Sequence, residues 1–545
     1  MGIPSYFSYI VRNHPEILKQ LQNKNFNTNN FYLDCNSIIY DVIHNIDFTI
    51  IKEDETDMIL KNVCNKIDEY INIIKPTHNL FIAFDGVAPV AKLNQQRERR
   101  YKSLFQAKMT RSIHKNIKSD PWNTSAITPG TVFMNKLNEK IEKYYNDPKK
   151  YKLTNIIIST SSSSGEGEHK IFDFMRRFPD QHKNTTTVIY GLDADLIMLG
   201  INHLLICENI YLFRETPHFI QSINSELEPN KEYILDLPEL AKNITFNMNN
   251  NEELSDEQKN NRVYDYIFMC FFLGNDFMPH FPSINIRTGG IDKMLNAYKS
   301  VIGNTKENLT NGKTIYWKNV RKLVKFLADN EEQYIKNEMK LRDKKEKYKM
   351  PEETPEDKYK KFENIPIYER SIEKYINPFN ENWRERYYKS LFNIADCDGN
   401  KIQDICTNYL EGLEWTMKYY TLGCCDWRWS YKYDYPPLLS DLLHCIPYYE
   451  TEFIIYKIPT PVSELVQLCY VLPQESLKLL PDKLYDELIK HHHEWYKNNC
   501  DFIWAFCKYF WESHVVLPYI DINELEKFVN NFFTIKDSLN INGLS

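Results

Sequence analysis

The chain has 545 residues, 42% of them hydrophobic, which is enough apolar material for two or three domains with full cores and excludes a disordered chain. No apolar run approaches the roughly 20 residues that cross a bilayer, and the first ten residues lack the charged start and apolar middle of a signal peptide. A net charge of −7 excludes a protein that binds nucleic acid over its whole surface, so any such binding must use a local basic patch.

Gly2 is followed by Tyr6 where a myristoylation motif wants Ser or Thr, and the expectation is a soluble intracellular protein with no membrane partner. Twelve cysteines are scattered without a Cys-x-x-Cys pair, as in a protein with reduced, mostly buried thiols. The run His491-His492-His493 reads as a solvated helix, because consecutive residues do not share a helix face.

Short apolar runs alternate with helical periodicity from the start, which predicts an α/β fold with a mostly parallel sheet flanked by helices. Phe31 to Leu33 reads as a strand ending at Asp34, and Leu80 to Phe84 as one ending at Asp85. Ile156 to Ile158 precedes Glu166 and Glu168 in Gly165-Glu166-Gly167-Glu168-His169-Lys170. Thr187 to Tyr190 precedes Asp193 and Asp195. Ligands of open α/β sheets bind outside the carboxyl ends of the strands, so these acids can converge.

After Asp85, residues Lys92, Gln96, Arg99 and Arg100 fall on one helix face. Nine Lys or Arg and one acid, Glu98, lie between Lys92 and Lys118. A solvated basic helix is the ordinary reading of such a run. Beside carboxylates, with Gln96 on the same face, that reading loses ground to a phosphate ligand. Thr128 is the expected N-cap of a helix with Pro129 in its first turn. Asn243 to Arg262 reads as a surface loop, and Val263 to Phe272 as a buried helix that delivers Asp276 to the acids, with a capping or dipole role for Asp265 favoured at least as much as a catalytic one.

From Asp329 to Pro366 the chain is rich in Lys and Glu and reads as a solvated helix and linker. The expected division is therefore a catalytic domain over 1–328, a charged linker over 329–366 and a smaller, mainly helical, aromatic-rich domain over 367–545 that closes the site. Trp415 to Tyr449 is crowded with aromatics, most of them expected in the core. One or two beside Arg428 and Lys432 could stack on bases. The remainder reads as amphipathic helices with a short extended piece at Val515 to Pro518, and no Gly-rich loop implies ATP.

Seven acids are thus expected together: Asp34, Asp85, Glu166, Glu168, Asp193, Asp195 and Asp276. At ~5 Å and an effective dielectric of ~20, each like-charged pair would cost about 3 kcal/mol, so they need cations. An all-oxygen donor set favours Mg²⁺ or Mn²⁺, and two such ions suit phosphodiester hydrolysis. A glycosidase-like acid/base pair would leave five acids and the basic helix without a role.

The sequence resembles the 5′-to-3′ exoribonucleases of the XRN group over nearly its whole length. The resemblance rests on Met1-Gly2-Ile3-Pro4-Ser5-Tyr6-Phe7, Asp85-Gly86-Val87-Ala88-Pro89, Asn94-Gln95-Gln96-Arg97, Ile127 to Thr131, Gly165 to Lys170, Tyr190 to Gly200, Gly274 to His280 and Tyr433 to Asp441. It implies a nuclease core of the PIN/FEN type, the seven acids as catalytic ligands of two Mg²⁺ ions, and Lys92, Gln96, Arg99 and Arg100 as the pocket for a 5′-monophosphate.

It further implies stacking of the first bases, with Tyr40 in place of the family's histidine and Trp429 or Trp427 as the tryptophan. The implied activity is processive decay of 5′-monophosphorylated single-stranded RNA to mononucleotides, in the cytoplasm or alternatively the nucleus, by a monomer with a decapping-type protein partner. No Cys-rich zinc knuckle precedes Gly274, and the chain stops at Ser545, so it looks like a minimal core of the sort that suits a virus or a compact genome. A flap-type DNA 5′ nuclease and a catalytically dead RNA-binding scaffold are the competing functions.

Overall fold

Four apolar strands lie parallel and end level with one another, and this alignment is what gathers the acids. The computed structural model describes residues 3, 5–21, 27–48, 54–114, 122–218, 220–250, 255–394 and 398–541. Met1, Gly2 and Pro4 of the opening motif lie outside them.

Strands β1 (Leu18–Gln20), β2 (Asn30–Asp34), β3 (Asn79–Ala83), β4 (Asn155–Ser159), β5 (Thr186–Tyr190), β6 (Asn209–Glu215) and β7 (Glu232–Asp236) form one sheet. Its order is β1-β7-β6-β5-β2-β3-β4. Strands β2 to β6 are parallel, and β7 and β1 are antiparallel additions at one edge. In register, Asp34 pairs with Ala83, Ala83 with Ser159, and Leu33 with Tyr190. The carboxyl ends of β2, β3, β4 and β5 therefore stand in one row. The connections diverge on either side of β2, through β3 to β4 one way and through β5 to β6 the other. That is the switch point where such sheets bind ligands. Every residue of β2 and β3 is buried, which is why these strands read as unbroken apolar runs.

The later part of the chain is mainly helical. One apolar core on a face of the sheet runs from Tyr32, Phe81 and Ile189 through Phe268 to Trp415, Tyr419 and Trp429. The helix Gly399–Thr421 thus shares its core with the sheet. A second core, with Phe31, Leu33, Leu80 and Ile82, fills the other face. Among the described residues, no helix is long and apolar enough to cross a membrane, and the cysteines are free thiols. The extended piece near Val515 is β9 (His514–Val516), paired with β8 (Asp501–Ile503).

Several local readings are corrected. The helix expected to start at Thr128 is Val132–Tyr144, and its N-cap is Thr131, whose hydroxyl accepts from the Met134 N–H. Asn243 to Arg262 is not one loop: a helix runs to Met248, and another begins at Asp256 with Ser255 and Gln258 forming a capping box.

Asp265 caps no helix. Fully buried inside Asp256–Cys270, it accepts from the Leu309 and Thr310 N–H groups at 2.7 and 2.9 Å and from the Tyr298 hydroxyl at 2.5 Å.

The Lys/Glu-rich stretch is not simply solvated. Glu331–Glu346 and Pro355–Glu363 are helices, and Glu331 and Arg342 are buried by long-range partners. Glu331 accepts from the Leu439 N–H, and Arg342 pairs with Glu373 at 2.7 Å.

Candidate active site

Each acid is delivered by an element end. Asp34 is the last residue of β2, and Asp85 follows β3 by two residues. Asn36 holds Asp85 from both sides: its amide donates to Oδ2 at 2.6 Å, and its Oδ1 accepts from the Asp85 N–H at 3.1 Å.

The helix Gly167–Arg177 begins against this pair. Glu166 is its N-cap residue, Glu168 lies in its first turn, and the Gly167 N–H donates to Asp85 Oδ1 at 2.7 Å. A helix N-terminus favours anions, so the sequence there suits acids on both sides. A Cβ at Gly167 would lie 2.5 Å from Asp34 Oδ1 and would push that carboxylate aside. Asp195 opens the helix Asp195–Asn202 after β5, and Asp276 follows the positive-φ Gly274.

The structure brings these acids together. Asp34, Asp85 and Glu168 each offer an oxygen, all within 4.8 Å of one another. Asp34, Glu166, Glu168, Asp195 and Asp276 are each under a tenth exposed. Burial, then the neighbouring carboxylates, pushes Asp34 and Glu168 well above the usual range. Burial and the Asp276 charge raise Asp195 to about 7. Asp34 Oδ1 and Asp195 Oδ1 are buried without a hydrogen-bond partner. Buried, mutually repelling oxygens with open coordination fit a hard divalent cation, and they fit little else.

Lys92 stands inside this group. Its Nζ lies 2.5 Å from Glu166 Oε2 and 2.7 Å from Asp276 Oδ2. Burial works against its charge, but Asp276 and Glu166 outweigh that and hold its ammonium well above the usual value. The same helix, Val90–Ile113, carries the rest of the expected basic face. Gln96 is buried with Oε1 unpartnered. Arg100 donates from Nη2 to Thr128 Oγ1 at 2.7 Å, and burial pulls its guanidinium down to about 10. Arg99 is half-buried, and its charge reaches Asp276.

The expected stacking residues differ in setting. Tyr40 is half-buried and close enough to Arg100 to interact electrostatically. Trp427 is half-buried, and its carbonyl accepts from the Val90 N–H at 3.0 Å, which sets it at the start of the basic helix. Trp429 is 8% exposed, stacked on Trp415 at 5.2 Å, and donates from Nε1 to Glu411.

Sequence reasoning missed Asn36, Thr128 and Tyr419. Asn36 stands two residues from Asp34, and that closeness is its one signal in the sequence. Thr128 carries the sequence signal of a helix cap, and in the structure its hydroxyl accepts from Arg100. Tyr419 donates to Glu166 Oε1 at 2.8 Å from 253 residues away, and no local signal marks it.

The family model described as the XRN 5′-3′ exonuclease N-terminus matches residues 1–216. The one described as the Xrn1 helical domain matches residues 257–375 and 367–539. The chain is similar to 5′-3′ exoribonuclease 1 of Saccharomyces cerevisiae, with 28% identity over 96% of this chain and 43% of that protein. It is similar to the 5′-3′ exoribonuclease 2 homolog of Drosophila melanogaster, with 26% identity over 97% of this chain and 70% of that one. Against 5′-3′ exoribonuclease 1 of Homo sapiens the identity is 28% over 96% of this chain and 34% of that protein. The chain thus spans less than half the length of the yeast and human relatives.

Proposed function

The chain belongs to the XRN 5′-3′ exonuclease family, and from that premise we propose that it hydrolyses 5′-monophosphorylated single-stranded RNA from the 5′ end to mononucleotides. One observation carries the reading: a single helix places Lys92 among the buried acids and carries Gln96, Arg99 and Arg100 one to two turns further on.

Asp34, Asp85 and Glu168 would hold one Mg²⁺ or Mn²⁺, and Asp193, Asp195 and Asp276, with Glu166 adjoining, a second. Bound there, the ions supply an activated water and neutralise charge at the scissile phosphate. The protein's own part is to position. Arg100, oriented by Thr128, binds the terminal phosphate with Gln96 and Arg99. Lys92, inside the acid group, stands at the start of the helix that carries these residues. Tyr40 and Trp427 hold the first bases by stacking, and the half-buried setting of Trp427 favours it over Trp429.

We assign the catalytic part to 1–328 and the closing part to 367–545, with 329–366 between them. The contacts of Tyr419 with Glu166 and Trp427 with Val90 support a later part that closes on the acids. Free thiols suit action in the cytoplasm, on RNA opened by a decapping-type partner.

The test is a time course with Mg²⁺ and matched RNA and DNA carrying a 5′-phosphate, a 5′-hydroxyl or a flap. Stepwise loss of 5′-phosphorylated RNA alone is expected. Preferred cleavage of the flap would replace the reading with a structure-specific DNA nuclease, and no product from any substrate would leave a binding protein.

A further inference from the structure

Two neighbouring tyrosines at the end of the helix Gly399–Thr421 reach the acids from the far side of the chain. Both are buried. The Tyr419 hydroxyl donates to Glu166 Oε1, while Lys92 meets Oε2 of the same carboxylate, so Glu166 is held from two sides. The Tyr419 ring stacks on His169 at 3.7 Å, next to Glu168 in the chain, and meets Phe277 edge-on at 5.5 Å, next to Asp276. One side chain therefore touches both segments that carry Glu166, Glu168 and Asp276. Tyr420 lies beside Asp195, with its ring against Phe271 and its carbonyl accepting from Asn202 at the end of the Asp195 helix.

Neither tyrosine is needed to satisfy the helix they end, and a hydroxyl buried in an apolar core is costly without a partner. Placed against carboxylates that repel one another, such donors fix the orientation in which the oxygens await a cation. Outer partners of this kind typically change metal affinity about 10–100-fold when lost.

We infer that Tyr419, seconded by Tyr420, is a positioning residue that presets the carboxylate group for divalent ions, so that ion affinity depends on docking of the later helix. The inference rests on the metal-dependent reading above.

The test uses the full chain and Mn²⁺, with free Mn²⁺ followed by its room-temperature EPR signal. Tyr419→Phe keeps the ring stack and removes only the hydroxyl. It is expected to weaken Mn²⁺ binding about 10–100-fold, in a chain that still unfolds cooperatively in EDTA. In activity, the Mg²⁺ requirement should rise while KM for RNA at saturating Mg²⁺ stays put. Tyr145→Phe, which removes a buried hydroxyl bonded to Cys64 and Asp68 far from the acids, should leave Mn²⁺ binding as it was.

Unchanged Mn²⁺ binding in a folded Tyr419→Phe chain, or an equal loss in Tyr145→Phe, would overturn the inference. If Tyr419→Phe does not fold, Tyr420→Phe gives the same comparison at Asp195. Failure of the unaltered chain to bind Mn²⁺ would instead sink the metal reading itself, and this inference with it.

Discussion

The ammonium of Lys92 stands 2.7 Å from the carboxylate of Asp276, although 184 residues separate them in the chain. A lysine expected to face an outside phosphate is, in this structure, the counter-charge of the acid group. It serves both ends of the site: it offsets Glu166 and Asp276, and it marks where the basic face begins.

Lys92→Met keeps most of the side-chain volume and removes that charge. Removing one partner of a buried pair typically costs about 3–5 kcal/mol. The urea midpoint in EDTA should fall accordingly, and added Mg²⁺ should restore part of the loss. Equal stability of the two chains in EDTA would mean that Lys92 does not neutralise the acids.

Asp193→Ala should bring RNA cleavage down to background without unfolding the chain. In EDTA the variant should still give a cooperative denaturation curve. Product formation and a denaturation curve check the two halves. Normal turnover by the folded variant would remove Asp193 from the metal site.

Arg100→Ala should narrow the preference for a 5′-phosphate over a 5′-hydroxyl, and Thr128→Val should do so more mildly. A hydrogen bond to a charged group contributes about 1.5–3 kcal/mol, so a tenfold or larger rise in KM for phosphorylated RNA is expected of Arg100→Ala. The ratio of kcat/KM for the two substrates is the measurement. A ratio that does not move would take Arg100 out of the pocket.

Asp265 links folding to pH. Burial raises its carboxyl from 3.8 to about 7 in the folded chain, so between those values the folded state holds a proton that the unfolded state has lost. Its contribution is fully present below about pH 4 and declines as pH rises through 7, by on the order of 4 kcal/mol in all. Asp265→Asn cannot titrate, and its stability should decline less over that range. Parallel curves for the two chains from pH 4 to pH 8 would argue against it.

The strands and their acids were legible because a parallel strand buried on both faces must be an apolar run, and its carboxyl end must face the ligand. Asp34, Asp85, Glu168 and Asp195 needed nothing more. What was not legible depends on partners distant in sequence. Arg342 looks like one more charge in a solvated run until Glu373 and the Pro366 and Cys507 carbonyls close around it. Asp265 looks like a helix cap until the Leu309–Thr310 turn arrives. Thr128 looked like a cap because Pro129 follows it, but Thr131 makes the capping bond and Thr128 turns to Arg100. Tyr419 is one of 37 tyrosines, and only the packed helix shows which carboxylate it meets.

The groups that make up the site span most of the chain, from Asp34 to Tyr419. Synthesis on the ribosome proceeds from the N-terminus, so the first strands emerge and can begin to fold long before the last of these groups exists. A half-made chain has Asp34 and Asp85 but neither the Asp276 carboxylate that meets Lys92 nor the hydroxyl that holds Glu166. A chain of that length therefore cannot yet hold the acid group in the arrangement seen here.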